Sequence, residues 1–206
     1  MVRSRRGSGS GFLFLASNSR WYAWTDAHVV AGCDLVELVL PNRSVLPAEV
    51  LARGRPVGGV DVALLSLQDR PAGCLSVAFH SGQRPRVGGR VLVCGWPLGD
   101  FGGTVVPGEI SNLGRSWEDQ PQDICTAPTY PGNSGSPVVC RESGRVLGLV
   151  RGGAAGGLTL YTPTWRVRDW AREARVEWAL DPSLPVTSPR DPEAHDQLMQ
   201  ILERER

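Results

Sequence analysis

The sequence predicts an all-β fold, a sandwich or a set of barrels, on three observations. Short apolar runs rich in Val and Leu recur along the chain. Clusters of Gly, Pro, Asn or Asp separate them, and 25 Gly with 16 Pro leave little room for long helices before about residue 163. Runs of that length bounded by turn formers read as strands, and many of them in succession read as a layered or closed β architecture.

In chain order the runs are Gly11–Ala16, Trp21–Thr25, Leu35–Leu40, Asp61–Leu67, Val91–Trp96, Thr104–Leu113, Pro137–Cys140, Val146–Val150 and Leu158–Thr162. The stretch from Arg70 to Gly89 is rich in Pro, Gly and polar residues and reads as the link between two sub-barrels, about 9–70 and 90–163. From Thr164 to about Ala179 the spacing changes: Val167, Trp170, Ala171, Ala174 and Trp178 fall on one stripe and predict a helix over 164–179. Asp181–Pro192 carries four prolines and ends the regular fold. Glu193–Arg206 sets Leu198, Ile201 and Leu202 at helical spacing, a short helix that is marginal unless it finds something to pack on. The division expected is therefore one domain over 1–180 and a Pro-rich linker with a terminal helix over 181–206. No repeat of solenoid or propeller period is present.

Composition bounds the function classes. With 206 residues, 41% hydrophobic and 21% charged, the chain can bury a core without metals or disulfides. A net charge of +1 gives no electrostatic ground for nucleic acid or an anionic membrane as partner. Neither a secretory leader nor a membrane span is legible, since the only apolar run near the start is Phe12-Leu-Phe-Leu, so a cytoplasmic protein is expected. The five cysteines, Cys33, Cys74, Cys94, Cys125 and Cys140, are odd in number, widely spaced and without a Cys-x-x-Cys pair. Buried reduced thiols are expected rather than a zinc site, with Cys94 and Cys140 in apolar runs.

Three local signals carry chemistry. Tyr130-Pro-Gly-Asn-Ser-Gly-Ser-Pro sets Ser134 between glycines. A tight turn there aims backbone N–H groups into one hollow, as an activated serine needs, although a Gly-rich turn before a strand reads the same way. Trp24-Thr-Asp-Ala-His-Val-Val places His28 just past a strand between apolar flanks, where a neutral imidazole can serve as a base; a structural histidine is the plainer reading. Gly59-Val-Asp-Val-Ala-Leu-Leu puts Asp61 at the head of a strongly apolar strand. A carboxylate there is costly unless hydrogen-bonded, which suits a residue that orients an imidazole, or else a turn Asp that starts a strand. The order His28, Asp61, Ser134 excludes an α/β-hydrolase, which needs Ser, acid, His, and a subtilisin-like order, which needs Asp well before His.

With those motifs in view, the chain resembles the trypsin/chymotrypsin-like superfamily, and most closely its HtrA/Deg-like bacterial branch. The resemblance runs from about Gly9 to Trp170 and rests on Gly7-Ser-Gly-Ser-Gly-Phe, Thr25-Asp-Ala-His-Val-Val, Asp61-Val-Ala-Leu-Leu, Gly95-Trp-Pro-Leu-Gly and Pro131-Gly-Asn-Ser-Gly-Ser-Pro. It implies two packed six-stranded antiparallel β-barrels with a C-terminal α-helix and an active site in the cleft. It further implies Ser134 as nucleophile, His28 as base and later acid, Asp61 as its orienting partner, and the amides of Gly132 and Ser134 as the oxyanion hole. No cofactor and no metal are required. Ser136 stands where the family usually has Gly, no Ile-Val-Gly-Gly-type activation start is present, and no PDZ-like module follows, so trimeric assembly is not implied.

By the same resemblance Thr126, Pro128, Arg151, Gly152, Gly153 and Thr159 frame the primary specificity pocket. No carboxylate lies at its base, which argues against Arg or Lys. The open glycine wall favours an uncharged side chain of small to medium size, and Arg151 attracting an acidic one is the second possibility. The function implied is an intracellular serine endopeptidase acting on protein or peptide substrates, with a regulatory partner at the C-terminal segment, in a bacterial stress, signalling or defence context. A catalytically silent peptide-binding scaffold is the alternative.

Overall fold

The computed structural model describes residues 1–82, 84–99 and 102–187. Its strands are β1 (Val2–Ser4), β2 (Gly7–Gly9), β3 (Phe12–Leu15), β4 (Trp21–Thr25), β5 (Leu35–Val39), β6 (Val45–Arg53), β7 (Ala63–Leu67), β8 (Arg90–Gly95), β9 (Thr104–Trp117), β10 (Gln120–Cys125), β11 (Pro137–Cys140), β12 (Val146–Ala154) and β13 (Leu158–Pro163). One helix, α1 (Thr164–Glu173), and a 3-10 turn over Glu177–Ala179 follow. The strands form two antiparallel units. The first is a seven-stranded sheet in the order β2-β1-β5-β6-β7-β4-β3, and the second is a closed barrel, β10-β13-β12-β11-β8-β9.

The all-β double-barrel expectation holds, with a difference in the first unit. It has seven strands, not six, because Val2–Ser4 and Gly7–Gly9 make a hairpin added beside β5, with Val2 opposite both Gly9 and Leu38. Polar and glycine residues dominate that hairpin, so it has no apolar alternation to announce it. β6 escapes the same reading because Pro47 sits inside it. Its pairing with β7 begins only at Ala48, so Pro47 is paired on the β5 side alone, where proline is tolerated. β10 opens Gln-Pro-Gln-Asp and is polar in sequence, but β9 and β13 hold it on both sides within the closed barrel.

The seam between the two units is the largest core. Phe12, Phe14, Tyr22, Trp24 and Leu64 from the first meet Phe79 from the link, Val146 and Leu149 from the second, and Val167, Trp170 and Ala171 from α1. Trp24 is wholly buried at its centre. Its ring stands edge-on to Phe79 and Trp170, with centroids 5.2 and 5.9 Å away, and its indole N–H donates to the Ala179 carbonyl at 3.0 Å.

The helix stripe Val167, Trp170, Ala171, Ala174 and Trp178 does face this core, but the helix expected to run to 179 stops at Glu173. Arg175 takes φ 58° and the Val176 N–H turns back to the Ala171 carbonyl at 2.8 Å, a left-handed ending. The 3-10 turn then returns Trp178 to the same core. Residues 181–187 lack regular structure, as expected of the prolines, yet they stay on the domain: Leu184 is buried, and its carbonyl accepts the Ser17 hydroxyl at 2.7 Å. The expected terminal helix at 193–206 lies outside the described residues.

All five cysteines are free, but Cys33 and Cys125 are the buried ones, whereas Cys94 and Cys140 are half-exposed because they sit near strand ends. Among the described residues no helix is long and apolar enough to cross a membrane.

Truncating Trp24 removes the contact that ties β4 to α1 and to the second unit. Trp24→Ala is expected to cost about 3–5 kcal/mol of stability, read as a lower midpoint in urea unfolding, whereas Leu75→Ala, at an 84% exposed position, leaves it near the wild-type value.

Candidate active site

Each candidate side chain is fixed by its own local fold. β4 ends at Thr25 in a tight turn where the Val29 and Val30 N–H groups donate to the Asp26 and Ala27 carbonyls, at 3.2 Å each. Ala27 and Val29 are buried, so the turn is anchored on both sides of His28, whose side chain stays 34% exposed at the cleft. Asp61 lies two residues ahead of β7, against the buried Val62 and Ala63, and its side chain is 2% exposed.

The two meet directly. The His28 imidazole Nδ1–H donates to Asp61 Oδ2 at 2.7 Å, and the His28 backbone N–H donates to Oδ1 at 2.9 Å. A carboxylate can only accept here, so the bond places the ring proton on Nδ1 and leaves Nε2 with a free lone pair. Burial pushes the Asp61 carboxyl upward, but the His28 hydrogen bonds and the positive charges of His28 and Arg151 outweigh it and hold it below the usual carboxylate range.

The Ser134 loop is pinned to this region by Ser10. The Ser10 N–H donates to the Ser134 carbonyl and its hydroxyl to the Gly132 carbonyl, each at 2.7 Å. The same hydroxyl accepts the Trp96 N–H, and the Ser10 carbonyl accepts the Thr25 hydroxyl, again at 2.7 Å. Ser10 thus joins the N-terminal segment, the end of β4, the Trp96 loop and the Ser134 turn while only 2% exposed. Gly9 makes the approach possible: a Cβ there would stand 2.9 Å from the Ser134 carbonyl oxygen and closer still to Val29. A Cβ on Gly135 would stand 2.9 Å from the Asp26 N, so the Ser134 turn lies beside the His28 turn, although no hydrogen bond joins the two side chains.

The proposed oxyanion donors are arranged by the neighbouring loop. The Leu98 N–H holds the Pro131 carbonyl at 2.7 Å. A trans peptide sets C=O and N–H on opposite sides, so the Gly132 N–H is turned away from that loop. Among the described residues neither the Gly132 nor the Ser134 N–H has a hydrogen-bond partner. Gly132 has φ 98°, and a Cβ on it would come within 2.6 Å of the Trp96 carbonyl.

The expected pocket residues fall on one side of the closed barrel. Gly152 and Gly153 of β12 pair with Leu160 and Thr159 of β13. The buried Thr159 hydroxyl bonds the Ala127 carbonyl at 2.6 Å and the Thr129 hydroxyl at 2.8 Å, so this wall is neutral and polar. Pro128 is exposed, and the exposed Thr126 uses its hydroxyl to accept the Glu109 N–H at 2.9 Å. Arg151 does not offer a free cation to this pocket: its Nε is ion-paired with Asp61 Oδ2 at 3.1 Å.

Two residues were passed over in the sequence. Ser10 falls within the Gly7-Ser-Gly-Ser-Gly-Phe motif, but nothing local distinguishes it from Ser8; only the fold gives it four partners. Asp26 is wholly buried, and neither carboxyl oxygen has a hydrogen-bond partner. Its Oδ2 is 3.8 Å from His28 Nδ1. One ligand atom each from Asp26, His28 and Asp61 lie within 4.8 Å of one another, a spacing open to a metal ion, but the Arg151 guanidinium already brings positive charge to Asp61. Burial first, then the Asp61 charge, push the Asp26 carboxyl well above its ordinary range, against the pull of Arg151 and the Gly135 amide.

A family model described as the trypsin-like peptidase domain matches residues 9–149. A "Serine protease Do-like HtrA" of Lactobacillus helveticus is 32% identical over 147 residues, which is 68% of this chain and 34% of that protein. A "Serine protease HtrA-like" protein of Staphylococcus aureus is 31% identical over 154 residues, 69% of this chain and 20% of that protein. The chain therefore spans about a third or less of the curated relatives it matches. Among solved structures, the inactive form of the Rv3671c protease superposes with a TM-score of 0.67 at 25% identity, over 84% of this chain and 86% of that one. The HtrA-type protease AlgW with a decapeptide gives 0.65 at 25% identity, over 77% and 49%.

The buried Asp26 carboxyl makes a stability prediction. A carboxyl whose folded pKa is raised leaves stability intact below its unfolded pKa, about 4, and erodes it as pH climbs toward the folded value. Asp26→Asn removes that erosion, so its Tm relative to wild type is expected to increase from pH 4 to pH 7; differential scanning calorimetry across that range checks it.

Proposed function

The chain belongs to the family of trypsin-like peptidase domains, and on that premise we propose that it is a serine endopeptidase working through Ser134, His28 and Asp61. The observation that carries the reading is the 2.7 Å bond from His28 Nδ1–H to a buried carboxylate, with the Ser134 turn pinned alongside it by Ser10. His28 Nε2 takes the proton of the Ser134 hydroxyl as its oxygen attacks the peptide carbonyl. Asp61 stabilises the imidazolium and holds its orientation. The Gly132 and Ser134 N–H groups receive the developing oxyanion. The tetrahedral intermediate collapses as His28 gives its proton to the leaving amine, which leaves an acyl-enzyme. His28 then takes a proton from water as its oxygen attacks the acyl carbon, and returns that proton to the Ser134 oxygen as the ester bond breaks and the acid leaves.

Substrates on this reading are proteins or peptides with an uncharged residue of small to medium size at the cleavage site. The neutral Thr129–Thr159 hydroxyl pair and the commitment of Arg151 to Asp61 support that preference over an acidic one. Closing of Ser134 onto His28, by substrate or by a partner protein, is the step open to control. Five unpaired thiols suit a reducing, intracellular compartment.

Ser134→Ala is expected to lower turnover by on the order of 10⁶ and to abolish fluorophosphonate labelling; a variant that cleaves a peptide library as the wild type does would overturn the assignment. A wild type that binds peptides without cleaving or labelling would favour the silent scaffold instead. Ser10→Ala frees the Gly132 carbonyl and the Trp96 N–H, and is expected to lower kcat about tenfold with KM little changed, the size of ~1.4 kcal/mol of lost oxyanion preorganisation.

A further inference from the structure

We propose that Arg151 is a positioning residue for the His28–Asp61 pair, supplying from a bulge in β12 the fixed cation that lets two buried carboxyl groups stand beside one imidazole. The inference rests on the proposed serine endopeptidase reading and extends it to the electrostatics of the base.

The bulge is the structural origin. Val150 pairs with Tyr161 and Gly152 with Leu160, so Arg151 is the extra residue in the β12–β13 ladder. Such an insertion re-aims a side chain that strict alternation would fix. The guanidinium reaches Asp61 Oδ2 through Nε at 3.1 Å, and its Nη2 donates to the Pro56 carbonyl at 3.2 Å and reaches Glu118 Oε2 at 3.5 Å. Three segments thus hold it: the loop leading into Asp61, Asp61 itself, and the β9–β10 turn. Its side chain is only 23% exposed.

Arg151 therefore shares one oxygen, Asp61 Oδ2, with the His28 ring. With Oδ1 taken by the His28 backbone N–H, the carboxylate cannot rotate, and the imidazole is committed to Asp61 although Asp26 Oδ2 lies 3.8 Å away. The charged and titratable groups facing the ring are Asp26 from its own turn, Asp61 from the head of β7 and Arg151 from β12; Glu118 stands beyond the guanidinium and is largely exposed. Neither Asp26 oxygen has a hydrogen-bond partner among the described residues, and burial and the Asp61 charge push its carboxyl up toward the neutral form, so the Asp61 carboxylate and the Arg151 guanidinium dominate the field at the ring. Without Arg151 the imidazolium would face an uncompensated carboxylate, which favours its charged form.

The test is an NMR titration of the His28 ring in the Ser134→Ala background, with the resonance assigned by its loss in His28→Gln. Arg151→Gln is expected to raise the His28 midpoint by about one pH unit, and Arg151→Lys, which keeps the charge, to restore most of the wild-type value. Asp26→Asn is expected to leave the midpoint in place. An unmoved midpoint in Arg151→Gln overturns the role of Arg151. A fall in Asp26→Asn overturns the neutral Asp26, since removing an anion would release the imidazolium proton earlier. Should Arg151→Gln not fold, as read by thermal melting, Arg151→Met takes its place. The titration needs no turnover, so it stands apart from any failure of wild-type cleavage, which would speak against the proposed function alone.

Discussion

The organisation of the cleft depends on a buried carboxylate that must be satisfied. Asp61 is held out of water at the head of an apolar strand, where an unpartnered anion would be costly. It receives a backbone N–H, an imidazole N–H and a guanidinium, each from a different segment or a different part of one residue. Satisfying that one group fixes the ring of His28, its tautomer and the direction of its free nitrogen. Apolar flanks set the depth of each partner: Val29 and Val30 anchor the histidine turn, and Val62 and Ala63 anchor the aspartate.

The second requirement is that a turn from the closed barrel stand beside a turn from the open sheet. Ser10 meets it with a side chain small enough to be enclosed and polar enough to bridge. The Gly9–Gly11 segment spends its backbone on Ser134 and Thr25 where it might have continued a strand, which is where β2 gives way to β3. The Trp96 loop completes the arrangement: its Leu98 N–H holds the Pro131 carbonyl and its Trp96 N–H donates to the Ser10 hydroxyl that holds the Gly132 carbonyl, while the Gly132 and Ser134 N–H groups have no partner among the described residues. These contacts span the interface between the units, so the Trp24 core behind them contributes to the geometry of the cleft as well as to stability.

Much of this was legible along the chain, and the exceptions share a cause. Strands with one apolar face announced themselves by content: β4, β8 and β11 appear where the runs of Val, Leu and aromatic residues lie. β1, β2 and β10 did not, because their stability comes from being paired on a ladder rather than from burying a face of their own. The helix was visible in its stripe, but its end was set by a left-handed Arg175, which is no sequence signal for a stop. Thiol burial went the other way for Cys94 and Cys140, since an apolar run does not tell which of its residues reaches the rim.

The sequence by itself determined the fold class, the trypsin-like family and the three residues worth joining, because turn chemistry around Ser134, strand-edge placement of His28 and a lone acid heading an apolar strand are local facts. Only the tertiary structure decided what surrounds them. Arg151 looked like a pocket wall until a bulge turned it onto Asp61, Ser10 looked like any serine in a Gly-Ser run until four segments met at it, and Asp26 looked like a turn residue until it was sealed beside the imidazole. Charges and hydrogen bonds act over a few ångströms in space, and the 122 residues that separate Ser10 from Gly132 along the chain carry no trace of their contact.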